Sequence, residues 1–209
     1  MTEAARKAWG IGLSRTGTTT FCAALTLLGY KRVAHNPTFQ EFTKLDGAAD
    51  NECVLYYKYL DYRFPGSKFI LTIRELEAWL DSMEFIMNRH PVVRDGPRPH
   101  GAVPPRKFDI AIKRRMLIYE TVGFEREKLV SAYHRHHEDV RRYFKDRPDD
   151  LLEMNISEGA KWDALCPFLG VPRPTEPFPH QNSRAILSKR KKGRLKGPLK
   201  RLNRWIRSR

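Results

Sequence analysis

Long apolar runs are missing from the 209 residues. None approaches the roughly 20 residues that a bilayer core demands, and the start of the chain does not show the charged-then-apolar pattern of a secretory leader. Cysteine is scarce as well. Cys22, Cys53 and Cys166 are odd in number and widely spaced, which excludes a disulfide framework and a cysteine metal cluster and suits a reducing compartment. A cytoplasmic protein is the expectation. Acidic residues are absent from the last stretch, where eleven Lys or Arg stand between Lys189 and Arg209. Taking these eleven from the net charge of +15 leaves about +4 for everything before them. The basic character therefore belongs to a tail, residues 183–209, and not to a nucleic-acid-binding body. Only Trp205 offers a base-stacking ring among those charges, which argues further against a nucleic-acid partner. The tail reads either as a solvated extension or as a short basic amphipathic helix. In the helical form Leu195, Leu199, Leu202, Trp205 and Ile206 share one side, suited to an anionic membrane surface, an acidic substrate or the protein's own body.

What the chain does have is alternation. Ala8–Leu13 reads as a buried strand, followed by a helix from about Thr18 to Leu28 that Gly29 ends. Tyr30–His35 reads as a second short strand, Pro37–Leu45 as helical, and residues 47–50 as a brief strand ending at Asp50. A helix through Cys53–Phe64 stops at Pro65-Gly66, and Lys68–Ile73 is an apolar, β-branched strand that passes directly into another helix. Two more helices follow, the second with Leu129, Val130, Tyr133, Val140, Tyr143 and Phe144 on one face. Then come a strand at 150–156 and a helix closed by Gly170 before Pro172. Strands alternating with helices predict an α/β fold of three layers, a parallel sheet with helices on both faces. Residues 1–182 form the expected domain. Within it Arg89–Arg106, rich in Pro, Gly and His, is long enough for a substrate loop or lid.

Gly12–Thr19, reading GLSRTGTT, has the G-x-x-x-x-G frame of a phosphate-binding loop. Glycines permit the turn, and the N–H groups that open the following helix aim at an anion. The lysine of nucleotide triphosphatases is absent, with Thr18 in its place, and the strand at 68–73 ends in Arg74 where a magnesium-holding aspartate is expected. Both losses argue against a metal-dependent kinase or triphosphatase. Arg15, inside the loop, supplies the missing cation from another position.

At this point the chain resembles the sulfotransferases that use 3′-phosphoadenosine 5′-phosphosulfate (PAPS). Their 5′-phosphosulfate loop is similar to Arg15-Thr16-Gly17-Thr18-Thr19, and their 3′-phosphate site is similar to Arg74 at a strand end with Ser82 eight residues later. A serine two helical turns on lies near the same face as the arginine and closes around one phosphate. Tyr133 and His136, Val140, Tyr143-Phe144, Trp162, Leu165-Cys166, Phe168-Leu169-Gly170 and Pro177–His180 with Asn182 extend the resemblance to the soluble members of that family, from about Trp9 to Asn182. The resemblance implies a P-loop-like sulfotransferase fold. It also implies PAPS held by Arg15, Thr16, Gly17, Thr18, Thr19, Thr20, Arg74 and Ser82 without a metal, with adenosine 3′,5′-bisphosphate as product. The sulfuryl group would pass in line to a hydroxyl or amine of a small-molecule, glycan or lipid acceptor, with Arg15 offsetting charge on the leaving oxygen.

An acceptor hydroxyl needs a general base. Asp50 stands where relatives place theirs, and an aspartate there also serves as an ordinary helix N-cap. His35, at the end of the second strand, is the rival, with Asp46 and Glu52 behind it. Arg94, Arg98, His100 and Arg106 favour an anionic acceptor, and Arg190–Gly193 resembles, faintly, a further 3′-phosphate element. The other reading is a catalytically inactive interaction protein that keeps this fold and binds membranes or polyanions through its basic tail.

Overall fold

The computed structural model describes residues 7–93, 97, 99–156, 158 and 161–179. Arg94, Arg98, the Arg106 side chain, His180, Asn182 and the whole of 183–209, Arg190–Gly193 included, lie outside the described residues.

Five strands form one parallel sheet: β1 (Ala8–Gly10), β2 (Val33–His35), β3 (Gly47–Ala49), β4 (Lys68–Ile73) and β5 (Leu151–Asn155), in the spatial order β2-β3-β1-β4-β5. Parallel neighbours need crossovers, and helices supply them. The α-helices are α1 (Thr18–Leu27), α2 (Asn51–Arg63), α3 (Leu76–Arg89), α4 (Phe108–Tyr119), α5 (Arg126–Phe144) and α6 (Lys161–Leu169), of which α6 follows the last strand, while a 3-10 helix at Phe39–Lys44 joins β2 to β3. Successive strand residues face opposite sides. Ala8 and Ile70 pack with Phe21 and Leu25 of α1 and with Trp162 and Leu165 of α6. Trp9, Phe69 and Leu71 pack on the other side with Tyr57 and Leu60 of α2 and with Val140 and Phe144 of α5. Both faces are covered, which is why β4 reads as an unbroken apolar run. A third cluster joins Leu13, Val54, Trp79, Leu80, Ile118 and Leu129, and seats α3 and α4 against α2 and α5. The three-layer α/β, P-loop-like architecture expected from the sequence is the one observed.

Several boundaries differ, each for a local reason. β1 stops at Gly10 rather than Leu13. Ile11 still donates to the Ile70 carbonyl at 2.9 Å, but Gly12 then turns so tightly against β4 that a Cβ would overlap the Thr72 hydroxyl and carbonyl. β2 starts at Val33 because Tyr30 donates to Leu25 O, closing α1, while Arg32 is drawn to Asp46. Pro37–Leu45 forms a short 3-10 helix at Phe39–Lys44, opened by a Thr38/Glu41 capping box. α2 begins two residues earlier than expected, and Gly170 closes α6 with φ 65° as expected.

The topology locates the crevice. β1 and β3 are neighbours, yet β1 leads into α1 on one face and β3 leads into α2 on the other. The chain leaves the two adjacent carboxyl ends in opposite directions, and open α/β sheets bind ligands at such a switch point.

Candidate functional site

The loop from Ile11 to Gly17 joins β1 to α1 at this crevice. Two of its residues are left-handed, Arg15 at φ 77° and Gly17 at φ 108°. Left-handed residues set among right-handed ones turn neighbouring N–H groups to one side and form an anion-binding concavity. The α1 N-terminus adds its own N–H groups and positive dipole end, with no acidic residue in its first turn to compete. Gly17 is needed twice: for its φ, and because Ile156 already lies 3.1 Å from where its Cβ would stand.

Side-chain donors brace this loop through its carbonyl groups. Trp79 Nε1 of α3 donates to Ser14 O at 2.9 Å, and His136 Nε2 of α5 donates to Ile11 O at 2.7 Å. One turn before His136, the Tyr133 hydroxyl donates to Arg74 O at 2.7 Å. The Tyr-x-x-His spacing of α5 therefore has a physical purpose that the sequence did not disclose. Residues three apart share a helix face, and this pair holds the donor loop and the arginine at the end of β4 together. Burial keeps His136 from protonating, so its ring stays a neutral donor.

Arg15, Arg74 and Ser82 come together as expected. Arg15 Nε donates to Ser82 Oγ at 2.9 Å, and Arg74 Nη1 donates to the Arg15 carbonyl at 3.3 Å. Two guanidinium groups and a buried serine hydroxyl thus share one corner beside the N–H concavity, a donor set that fits a nucleotide carrying two phosphate-type anions. The threonines divide. Thr16 turns inward, with its hydroxyl on Leu13 O at 2.7 Å and on Thr72 Oγ1 at 2.6 Å, so it shapes the loop rather than facing a ligand. Thr20 is buried. Thr18 and Thr19 both place Oγ1 3.1 Å from His35 Nε2.

His35 and Asp50 meet across the crevice. His35 Nε2 lies 3.1 Å from Asp50 Oδ2, and the Ser14 hydroxyl donates to Asp50 Oδ1. Asp50 occupies the N-cap position by backbone only. Its carbonyl accepts from Cys53 and Val54, but its carboxylate makes no cap hydrogen bond and turns to His35 and Ser14 instead. Its backbone sits at φ 91°, ψ −162°, a region that is nearly glycine-only. Holding a non-glycine residue there costs about 1–3 kcal/mol, and such strain persists where surrounding contacts over-determine it. Ser14, within the loop motif, is the partner that sequence reasoning missed; its only signal was the position two residues after Gly12.

The remaining candidates lie elsewhere. Asp46 precedes β3, at the opposite edge of the sheet, and pairs with Arg32 at 2.8 Å. Glu52 is committed to Arg114 of α4 at 2.7 Å, and Arg114 also reaches Pro37 O. Cys22 is buried near Asp50; burial and that carboxylate push its thiol up to about 12, so it stays a thiol at neutral pH. The described part of the 89–106 loop closes on itself through His90 Nδ1 with Gly101 O at 2.7 Å, and Arg115 of α4 ties it down at His90 O. His100 is exposed. Among the described residues no helix is long and apolar enough to cross a membrane.

The chain is 29% identical over 154 residues to Ava biosynthesis cluster protein M of Aspergillus versicolor, an alignment covering 68% of this chain and 55% of that protein. It thus spans about half the length of that curated relative. The model of the sulfotransferase domain matches residues 7–43 and 38–187, which takes in the phosphate loop, His35, Asp50, Arg74 and Ser82. The chain belongs to the sulfotransferase domain family.

Proposed function

We propose that this domain transfers a sulfuryl group from PAPS to a hydroxyl or amine acceptor, with Asp50 as general base. The observation that carries the reading is the Asp50 backbone. A buried carboxylate is held in a nearly glycine-only conformation, at the crevice, touching both the phosphate loop and His35. As a cap alone it would gain nothing from that strain.

PAPS, when bound, would supply the sulfuryl group, whose bond to the phosphate oxygen breaks as the bond to the acceptor forms, with adenosine 3′,5′-bisphosphate leaving. The N–H groups around Gly17–Thr19 and the Arg15 guanidinium would hold the 5′ anion and offset charge on the leaving oxygen. Arg74 and Ser82 would hold the 3′-phosphate. Asp50 takes the acceptor proton while Ser14 fixes one of its carboxylate oxygens and His35 contacts the other. Tyr133, His136 and Trp79 keep the two halves in register, and positioning of this kind accounts for much of a transfer that needs no covalent intermediate.

His35 carries a second reading. It is more accessible than Asp50, at 36% against 10% side-chain exposure, and its Nε2 also faces Thr18 and Thr19. In that case Asp50 orients the imidazole and the imidazole takes the proton.

Two measurements test the proposal. Adenosine 3′,5′-bisphosphate at about 100 times its Kd is expected to raise the unfolding midpoint by roughly 5–10 °C. ADP, and ATP with magnesium, are expected to raise it far less. A shift with ATP and magnesium alone would overturn the donor assignment. Release of the bisphosphate from PAPS, followed over a panel of phenols, sugars and amines in His35→Asn and Asp50→Asn, then separates the two bases. The larger loss marks the proton acceptor.

A further inference from the structure

A cleft of about 260 Å³ opens between α2, α4 and α5, and none of Arg15, His35, Asp50, Arg74 and Ser82 lines it. Its walls are Val54, Leu55, Leu117, Ile118 and Ala132, with the His136 ring and Lys58, Arg135 and Asp139 among its polar groups. α2 breaks helical geometry at Tyr56, φ −120° and ψ 15°, between Leu55 and Tyr57, both of which line the cleft. Sharp irregularities in a helix have local causes. No proline lies at this one, and the break falls where the wall changes from aliphatic to aromatic.

We propose that this cleft binds a small organic anion with an apolar or aromatic body, at a site separate from the sulfuryl-transfer crevice. The charge pattern points to an anion. Arg135 is engaged by Glu120 at 2.7 Å and by the Ile118 carbonyl, and Asp139 approaches Arg142 at 3.5 Å. Lys58 has aromatic neighbours instead, its ammonium 5.6 Å from the Tyr57 ring centre and 5.5 Å from that of Tyr143. Among the described residues no carboxylate pairs with it. The volume lies just below the roughly 300–1,000 Å³ of drug-sized sites and suits about ten non-hydrogen atoms.

The His136 ring supplies the polar anchor. A carbonyl only accepts, so the bond to Ile11 O puts the proton on Nε2 and leaves Nδ1 a lone-pair acceptor. A ligand with a carboxylate at one end and a hydroxyl at the other matches both groups. The same ring holds the first residue of the phosphate loop, so the cleft and the loop share a side chain, and Leu13 of the loop belongs to one apolar cluster with the cleft walls Val54 and Ile118.

The probe is 4-hydroxybenzoate, with 4-hydroxybenzamide as its neutral counterpart and inorganic sulfate as an anion without a body. Methyl NMR on the full chain is expected to show saturable shifts at Val54, Leu55, Leu117 and Ile118, with a Kd on the order of 1 mM. The amide is expected to bind at least about fivefold more weakly, and sulfate is expected to leave these methyls unmoved. Leu117→Trp fills the cleft from a side chain that is 56% exposed, and Lys58→Glu reverses the exposed charge. Each is expected to weaken the probe about tenfold or more. Absence of saturable shifts up to about ten times the expected Kd would overturn the proposal. So would binding by both variants as tight as by the wild type, or shifts confined to Leu13, Thr18 and Thr19, which would place the probe in the transfer crevice instead.

Discussion

At the carboxyl edge of the sheet three residues other than glycine, Arg15, Asn36 and Asp50, have positive φ beside Gly17; at the amino edge Gly29 and Gly66 do. The two glycines sit in turns leading into β2 and β4, with open space where a Cβ would be. Each is there for its φ and nothing else, at little cost. At the other edge the same kind of backbone carries a guanidinium, an amide and a carboxylate, all within the crevice. The packing differs accordingly. The amino edge is tied by partly exposed ion pairs, Arg32–Asp46 and Lys68–Asp150, of the sort worth about 0–1 kcal/mol. The carboxyl edge is tied by buried Trp79 and half-buried Tyr133 and His136, which donate to main-chain carbonyls. One edge is arranged for turning the chain cheaply, and the other holds costly conformations in place at the crevice where we propose that transfer occurs.

The largest effect that sharpens this contrast is on turnover. Asp50→Asn keeps the shape of the crevice and removes the proposed base, and is expected to lower kcat by about 10²–10⁴-fold. Bisphosphate release from PAPS measures it.

Acid probes the buried face of α5. His137, the neighbour of His136, is buried with Nε2 lacking a hydrogen-bond partner, and desolvation pushes its pKa down to about 4. The unfolded chain binds a proton near pH 6.5 that the folded chain refuses until about pH 4. Stability from this group is therefore complete above about 6.5 and is lost as pH falls toward 4, by up to about 3 kcal/mol. Denaturant titrations of wild type and His137→Gln between pH 7 and 4.5 are expected to show a steeper decline in the wild type.

Arg74→Ala removes a charge-assisted contact worth about 1.5–3 kcal/mol and is expected to weaken adenosine 3′,5′-bisphosphate by roughly 10–100-fold in calorimetry. Glycine exchanges then set the two edges directly against each other. Asp50→Gly is expected to stabilise the fold by about 1 kcal/mol while abolishing transfer. Gly29→Ala is expected to destabilise it by about 1 kcal/mol or more without touching transfer. Equal signs in the two unfolding curves would break the comparison. Arg32→Ala, at the amino edge, is expected to move stability by no more than about 0.5 kcal/mol.

Much of this was legible in the residues. The β4 run, the glycine stops and the alternation of elements give the fold directly, because local periodicity and breakers act over a few residues. Arg15, Arg74 and Ser82 were legible through the resemblance to the sulfotransferases, and their meeting fits a strand end and two helical turns, regular objects whose geometry follows from sequence distance. The inward turn of Thr16 was not, because it depends on Thr72, 56 positions away. Nor was Ser14, whose hydroxyl meets a carboxylate 36 positions on. Tyr133 and His136 read as core residues from their helical spacing, yet each spends its polar atom on a carbonyl of another element.

Sequence by itself determined the class of fold, the phosphate-loop frame without its lysine, and the presence of Arg15 in the loop and Arg74 at a strand end. Those features rest on interactions within a turn or along one element, where neighbours in sequence are neighbours in space. Only the tertiary structure decided that Asp50 faces His35 and Ser14 rather than capping α2, that Asp46 sits at the wrong edge, and that Glu52 is held by Arg114. Each of those outcomes turns on which distant element supplies the partner. Strand order and helix packing settle that, because the strength of a polar contact depends on distances that sequence separation does not encode.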